Sequence, residues 1–124
     1  MTDEIPKLLK DLIHFDSHFR QNAVRFLGEI YVKNYDKITK DDKNKIIEGF
    51  LCRLDEKEDA LEVKEKTVRE LGKMSKYLSD EEINQIFRKI AVYIIDEKIQ
   101  GKDIYVLCMK ELLKGSTAEA CNLI

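Results

Sequence analysis

The chain has 124 residues, of which 44% are hydrophobic and 37% charged, with a single proline and no tryptophan. This apolar content is enough for a packed core, which argues against a disordered chain, and the low proline content argues against a turn-rich β-sandwich. The 22 basic and 24 acidic side chains leave a net charge of −2, which argues against direct nucleic-acid binding because phosphate contacts require a basic surface.

Neither a disulfide framework nor a targeting segment is predicted. Cys52, Cys108 and Cys121 are widely spaced and form no CxxC pair. The charged N-terminus lacks the apolar core of a signal peptide, and no stretch approaches the ~18 apolar residues that a membrane span requires. We therefore expect no membrane association and a reducing compartment.

Apolar residues in the first half of the chain recur at helical spacing. The pattern predicts a first helix over residues 5–13 and a second that starts at Asp16 or Ser17. A polar loop over 34–39 then leads to a third helix, opened by Thr39. The side chains expected to face inward on the second helix are Phe19, Ala23, Phe26, Leu27, Ile30 and Tyr31.

The second half continues in the same way after a charged turn over residues 55–59. A fourth helix is predicted with an apolar face over 61–78. Ser79 and Glu82 have the spacing of a capping box, in which each side chain satisfies a backbone amide at the start of a fifth helix. A sixth helix is predicted over 103–115.

The chain contains an internal repeat. Residues 16–28 and 60–72 align without gaps at an offset of 44 residues, which lies in the ~40–47 range of two-helix repeats. A weaker third copy near 103–112 puts Lys110 at the position of the glycine. The identical pairs are Val24/Val68, Arg25/Arg69, Leu27/Leu71 and Gly28/Gly72.

The two repeated glycines lie in the middle of predicted helices. Glycine there costs ~1 kcal/mol relative to alanine. Its recurrence at Gly28 and Gly72 therefore predicts a close helix–helix contact at each position. The alternative is a plain helical bundle in which the match is coincidental.

The shared pattern, D-x-x-φ-[RK]-x-x-small-V-x-x-L-G, resembles the second helix of HEAT repeats. The resemblance implies an all-α, right-handed, ARM-like solenoid of three helix pairs in which neighbouring pairs bury each other's apolar faces. In HEAT repeats an Asp and an Arg form a ladder between repeats, which implies such roles for Asp16, Arg20 and Lys64. The second repeat departs from the pattern, since Ala60 occupies the acidic position and Asp59 precedes it.

The repeat boundaries follow from these helices. We expect one domain with repeats at about 3–34, 40–78 and 79–115. Residues 116–124 read as the start of a further helix. The natural chain is therefore expected to continue, with its next part packing on the open C-terminal end.

A more specific resemblance extends along most of the chain. The order of its motifs is similar to the N-terminus of the cullin-associated and neddylation-dissociated family, also called the TATA-binding-protein-interacting family. The motifs that carry this likeness are Leu8-Leu9-Lys10, Asp16-Ser17-His18-Phe19-Arg20, the Ile46–Leu51 element, Leu54-Asp55-Glu56-Lys57 and the segment from Glu62 to Gly72.

This resemblance implies a binding protein and no enzymatic activity or cofactor. Members of the family wrap around unmodified cullin–RING ubiquitin-ligase scaffolds, block neddylation and promote exchange of substrate receptors, in the cytoplasm and the nucleus. The implied partner is therefore a cullin with its RING subunit. The alternatives are a HEAT adaptor for nuclear transport or a phosphatase scaffold, or a self-contained bundle.

Two sets of residues are candidates for a functional site. His14 and His18 have the spacing of a metal pair on one helix, but they straddle a predicted helix break, so no metal site is expected. Basic residues recur on the polar side of the repeated helices and form a candidate partner surface, with a solvated helix flank as the alternative. They are Arg20, Arg25, Lys64, Arg69 and Lys73.

Overall fold

The computed structural model describes residues 4–55, 57–58, 60–96 and 102–115. Within these ranges the chain consists of helices and turns without a β-strand, so the predicted all-α class is confirmed. The helices are α1 Glu4–Asp11, α2 Ser17–Asn34, α3 Lys40–Leu54, α4 Leu61–Met74, α5 Asp80–Ile95 and α6 Asp103–Gly115. The further helix expected in 116–124 lies outside the described residues.

Capping side chains set three of the helix starts. The Asp16 carboxylate accepts a hydrogen bond from the amide two residues on, and the Thr39 hydroxyl accepts one from the amide three residues on. Ser79 and Glu82 form both halves of the predicted capping box, at 3.1 and 2.9 Å. These bonds satisfy amides that have no partner inside the helix. The predicted starts of α2, α3 and α5 are therefore confirmed.

Successive helices pack as pairs, α1 with α2, α3 with α4 and α5 with α6. The second helices of the pairs also form a row, in which α2 packs along α4 and α4 along α6. The first helices, α1, α3 and α5, touch one another more sparingly. Among the described helices, the tightest packing is therefore within the row α2–α4–α6.

The helices of this row run in the same direction. Arg20, near the start of α2, pairs with Glu58 just before α4, whereas Tyr31, near the end of α2, reaches Glu82 beyond the end of α4. Between these points Gly28 faces Glu70 in the second half of α4. The segments 16–28 and 60–72, which align in the sequence, thus lie side by side and parallel.

One apolar core runs through all the pairs. Burying a large aliphatic or aromatic side chain contributes about 1.5–3 kcal/mol relative to leaving it exposed. The largest fully buried side chains are Ile5, Leu12, Leu27, Tyr31, Ile46, Ile47, Phe50, Leu54, Leu71, Met74, Ile86 and Tyr105.

The repeated glycines occupy the closest contacts between neighbouring helices. A Cβ at Gly28 would lie 2.6 Å from Oε1 of Glu70 and 3.1 Å from its Cβ. A Cβ at Gly72 would lie 3.0 Å from Cβ of Glu111. The close approach predicted from these glycines is confirmed, and the same Gly–Glu contact occurs twice along the row.

This repeated contact changes the alignment of the third copy. Glu111 contacts Gly72 as Glu70 contacts Gly28, so Glu111 is the counterpart of Glu70 in α6. The residue at the glycine position is then Leu113 and not Lys110. The sequence alignment missed this because α6 shares too few identities with α4 to fix its register.

Several apolar side chains at predicted inward positions are exposed, namely Ile13 (73%), Phe19 (49%), Phe26 (41%), Leu61 (58%) and Leu107 (45%). Ile13 lies in a turn because α1 ends at Asp11. The two phenylalanines lie on the side of α2 that faces α1, and the 8-residue α1 is too short to cover the 18-residue α2.

The predicted fourth helix also ends earlier than expected. α4 stops at Met74 and a 3₁₀ turn, Ser75–Tyr77, follows it. The Ser75 hydroxyl donates to the carbonyl of Gly72 at 2.7 Å, and such a local bond competes with continuation of the helix. Leu78 is then extended and buried.

Tyr31 links the C-terminal part of α2 to α5. Its hydroxyl donates to the Glu82 carboxylate, with O–O distances of 3.1 and 3.0 Å. Burial, with added effects of the Glu82 charge and hydrogen bond, raises the pKa of Tyr31 well above its usual range. The phenol therefore stays protonated in the folded chain.

This raised pKa predicts a loss of stability at alkaline pH. The unfolded chain releases the Tyr31 proton near the ordinary tyrosine pKa of ~10, whereas the folded chain keeps it. The free energy of unfolding should therefore keep the full Tyr31 contribution below pH ~10 and fall above it. We expect Tyr31→Phe to make this fall shallower in urea titrations followed by circular dichroism, whereas Tyr35→Phe, at an exposed residue, should not. An unchanged slope in Tyr31→Phe would assign the effect to Tyr93, whose pKa is also raised by burial.

Candidate protein-binding surfaces

Arg20 does not lie on an open surface. Its guanidinium Nε and Nη2 atoms each lie 2.9 Å from one oxygen of Glu58. Its Nη1 donates to the backbone carbonyls of His14 and Phe15 at 2.7 and 2.9 Å. Only 7% of Arg20 is exposed, so the prediction that it contacts a partner is wrong. The reason is that the turn before α4 folds over it.

The Glu58 carboxylate accepts further hydrogen bonds at the same place. Its Oε1 accepts from Nη1 of Arg53 at 3.0 Å, and its Oε2 accepts from the amide of Ala60 at 3.0 Å. The Glu58 side chain is fully buried. One carboxylate thus ties α2, the end of α3 and the start of α4 together. We call Arg20, Arg53 and Glu58 the charge clamp.

The charge clamp takes the place of the expected Asp–Arg ladder. The Asp16 carboxylate is the cap of α2, and the acidic partner of Arg20 is Glu58. Lys64, the counterpart of Arg20 in the second repeat, is half-buried and forms no ion pair with a described residue. Asp59 lies outside the described residues. Arg20, the predicted basic member of the ladder, forms an ion pair across the two repeats, and its acidic partner Glu58 lies in the turn before α4.

The other three candidate cations are exposed on the row of second helices. Arg25 and Arg69 occupy equivalent positions on α2 and α4. The Arg25 guanidinium lies 4.7 Å from the ring centroid of Phe26, where a cation–π contact supports it. Lys73 Nζ lies 3.3 Å from Oε2 of Glu70, its neighbour one turn earlier. The structure thus leaves Arg25 and Arg69 open to solvent and ties Lys73 locally.

A groove between α1 and α2 was not predicted. It has a volume of about 610 Å³ and is lined by the two exposed phenylalanines, Phe19 and Phe26, with Leu8 and Ile30 beside them. The rim carries charges of both signs, including Lys7 and Glu29. Both phenylalanines were expected in the core, because the helical period does not show how much of α2 its neighbour covers.

The described cysteines differ sharply in exposure. Cys52 is exposed on α3, whereas Cys108 is fully buried on α6. Burial, with a smaller effect of the Glu111 charge, raises the pKa of the Cys108 thiol to about 12. Because the thiolate is the reactive form, Cys108 should be inert while the chain is folded.

Thiol labelling tests this difference. We expect iodoacetamide to modify Cys52 in the folded chain about 10²-fold faster than Cys108, because Cys108 is reached only through rare unfolding. Peptide mass spectrometry of a time course measures both rates. In urea the labelling rates of Cys52 and Cys108 should become equal, which provides the reference. Equal rates already in the native chain would show that α6 is not packed as described.

The two histidines do not form a metal site. Nδ1 of His14 accepts a hydrogen bond from the amide of Asp16 at 3.0 Å, and its ring lies 4.2 Å from that of Phe19. His18 is exposed on α2. Among the described residues, no group of three or more His, Cys, Asp or Glu side chains is arranged to hold a metal ion.

None of the helices in the described ranges combines the length and apolarity needed to cross a bilayer. No protein-family model matches the chain, and a search of curated proteins finds no match.

Proposed function

We propose that the chain is a HEAT-type, right-handed helical-repeat module that binds a protein partner and acts by occupying the partner's surface. The observation that carries the proposal is the parallel row α2–α4–α6, in which the same Gly–Glu contact joins each helix to the next. Repeat proteins of this kind expose one continuous face of successive helices as an extended binding surface.

The partner that we propose is an unmodified cullin with its RING subunit. The support for this choice is the resemblance of Leu8-Leu9-Lys10 and of the segment 16–20 to the cullin-associated and neddylation-dissociated family. In this proposal the module covers part of the cullin scaffold, hinders neddylation and favours receptor exchange, in the cytoplasm and the nucleus. Its own contribution is steric, without a chemical step.

A pull-down tests the partner. The immobilised chain is incubated with a purified cullin–RING pair, either unmodified or neddylated. We expect retention of the unmodified pair and weaker retention of the neddylated pair, because the modifier would compete for the covered surface. Failure to retain any cullin would reject this partner and leave the repeat module to be tested on its own.

Thermal melting tests the repeat architecture separately. In an open array, stability is a sum of nearest-neighbour terms, so terminal pairs can unfold before central ones. We expect a broad melting transition by circular dichroism, with Cys108 on α6 becoming reactive before the core of α2 and α3 is lost. A single sharp transition with simultaneous exposure of all regions would favour a self-contained bundle.

A further inference from the structure

The register of α6 against α4 places a third exposed cation at the position that Arg25 and Arg69 occupy on α2 and α4. Because Glu111 is the counterpart of Glu70, the residue before it, Lys110, is the counterpart of Arg69 and of Arg25. All three side chains are exposed. They occupy the same position on three parallel, laterally packed helices, and we call them the basic row.

The spacing of the basic row follows from helix packing. Axes of packed helices are about 8–10 Å apart, so Arg25, Arg69 and Lys110 recur at about that interval across the row. An extended peptide in the polyproline II conformation rises about 3.1 Å per residue and has three residues per turn, so every third side chain lies on the same face. Every third residue of a peptide that crosses the helices would therefore meet the next cation.

The acidic neighbours of the row do not neutralise it. Glu65 lies one turn before Arg69, and Glu29 lies one turn after Arg25, yet neither forms an ion pair within the described part of the chain. The face is acidic at the N-terminal ends of α4 and α6, where Glu62 and Asp103 are exposed. The row is thus bordered by carboxylates toward the helix N-terminal ends, and on α4 Lys73, paired with Glu70, lies one turn beyond Arg69.

We propose that the basic row binds an extended acidic segment of a protein partner, with carboxylates at every third residue facing Arg25, Arg69 and Lys110. This inference rests on the proposed protein-binding function and specifies the chemistry of the partner. The guanidinium groups of Arg25 and Arg69 present paired donors that match a carboxylate. The Phe26 ring beneath Arg25 holds one of them in place at 4.7 Å.

The geometry favours a peptide over a nucleic acid. A nucleic-acid backbone places charges more densely than one per 10 Å and gains affinity from many phosphate contacts. The exposed carboxylates of Glu62, Glu65 and Asp103, which flank the row, would repel such a continuous line of phosphates. A peptide whose carboxylates are separated along the chain can place neutral residues next to Glu62, Glu65 and Asp103.

Fluorescence anisotropy with three labelled probes tests the proposal on the full chain. The first probe is a peptide with three glutamates separated by Gly-Ser spacers. The second has the same composition with the glutamates adjacent, and the third is a single-stranded oligonucleotide. We expect the spaced peptide to bind best, with an affinity that falls as salt is added. Charge reversal in the triple variant R25E/R69E/K110E should weaken its binding by about tenfold or more.

A matched variant controls for net charge. K37E/K40E/K76E reverses three exposed lysines away from the row and should bind the spaced peptide as the unchanged chain does. Circular dichroism melting verifies that both triple variants are folded, as expected for exposed positions. The single variant R69E, at the centre of the row, should show an intermediate loss.

Several results would overturn the proposal. They are absence of binding to the spaced peptide, equal binding of the two peptides, tighter binding of the oligonucleotide, and equal losses in the two triple variants. The cullin pull-down is a separate readout. Retention of cullin with no peptide binding would reject the basic row alone, whereas peptide binding without cullin retention would reject only the cullin partner.

Discussion

Replacing Arg20 with methionine is expected to lower the free energy of unfolding by about 3–5 kcal/mol, because it leaves the fully buried Glu58 carboxylate without its main counter-charge. Arg53 and the amide of Ala60 still donate to Glu58, but neither replaces the two-point contact of the Arg20 guanidinium. Urea unfolding at neutral pH measures the difference.

Two further variants isolate the cause. The double variant Arg20→Met/Glu58→Leu removes the buried Arg20–Glu58 pair, so it should recover part of the lost stability, although Arg53 and the Ala60 amide lose their acceptor. Lys45→Ala removes an exposed pair with Asp41 and should cost at most about 0.5 kcal/mol. A cost below 1 kcal/mol for Arg20→Met would contradict the burial of the charge clamp.

Gly28→Leu is expected to destabilise the chain by about 2–3 kcal/mol, because the added side chain must force α2 away from α4. The Glu70 side chain already lies where the new Cβ would be, at 2.6 and 3.1 Å. The helix propensity gained over glycine, at most ~1 kcal/mol, offsets only part of this cost. Thermal and urea unfolding by circular dichroism measure the net effect.

A substitution next to this contact provides the control. Glu29→Leu introduces the same side chain at an exposed position of α2 and should change stability by less than about 0.5 kcal/mol. Gly72→Leu should repeat the loss, because Glu111 occupies the corresponding place against α6. If Gly72→Leu were neutral while Gly28→Leu was not, the two contacts would not be equivalent and the repeat would end at α4.

The charge clamp and the Gly–Glu contacts also bear on the basic row. Arg20 and Glu58 join α2 to the turn before α4, and Gly28 and Gly72 allow the helices of the row to approach closely. The clamp and the Gly28–Glu70 contact fix α2 against α4, and the Gly72–Glu111 contact fixes α4 against α6, so contacts within the chain set the spacing of the three helices. A ligand that matches this spacing would bind without first ordering the protein, which reduces the entropic cost of binding.

Local sequence patterns determined the all-helical class and the starts of α2, α3 and α5. The capping residues Asp16, Thr39 and Ser79 act on amides two or three residues away, so their effect needs no tertiary information. The recurrence of Gly28 and Gly72 predicted close packing because glycine in a helix has a cost that only a neighbour can offset. The all-α class and these contacts follow from the sequence.

Only the tertiary structure decided which side chains are buried. Arg20 reads as a surface cation in the sequence, yet the turn at Glu58 encloses it, and Phe19 and Phe26 read as core, yet the short α1 leaves them exposed. Lys110 joined Arg25 and Arg69 only when the contact between Gly72 and Glu111 set the register of α6. Helical period is a property of one segment, whereas burial and register depend on the length and position of the neighbouring helix.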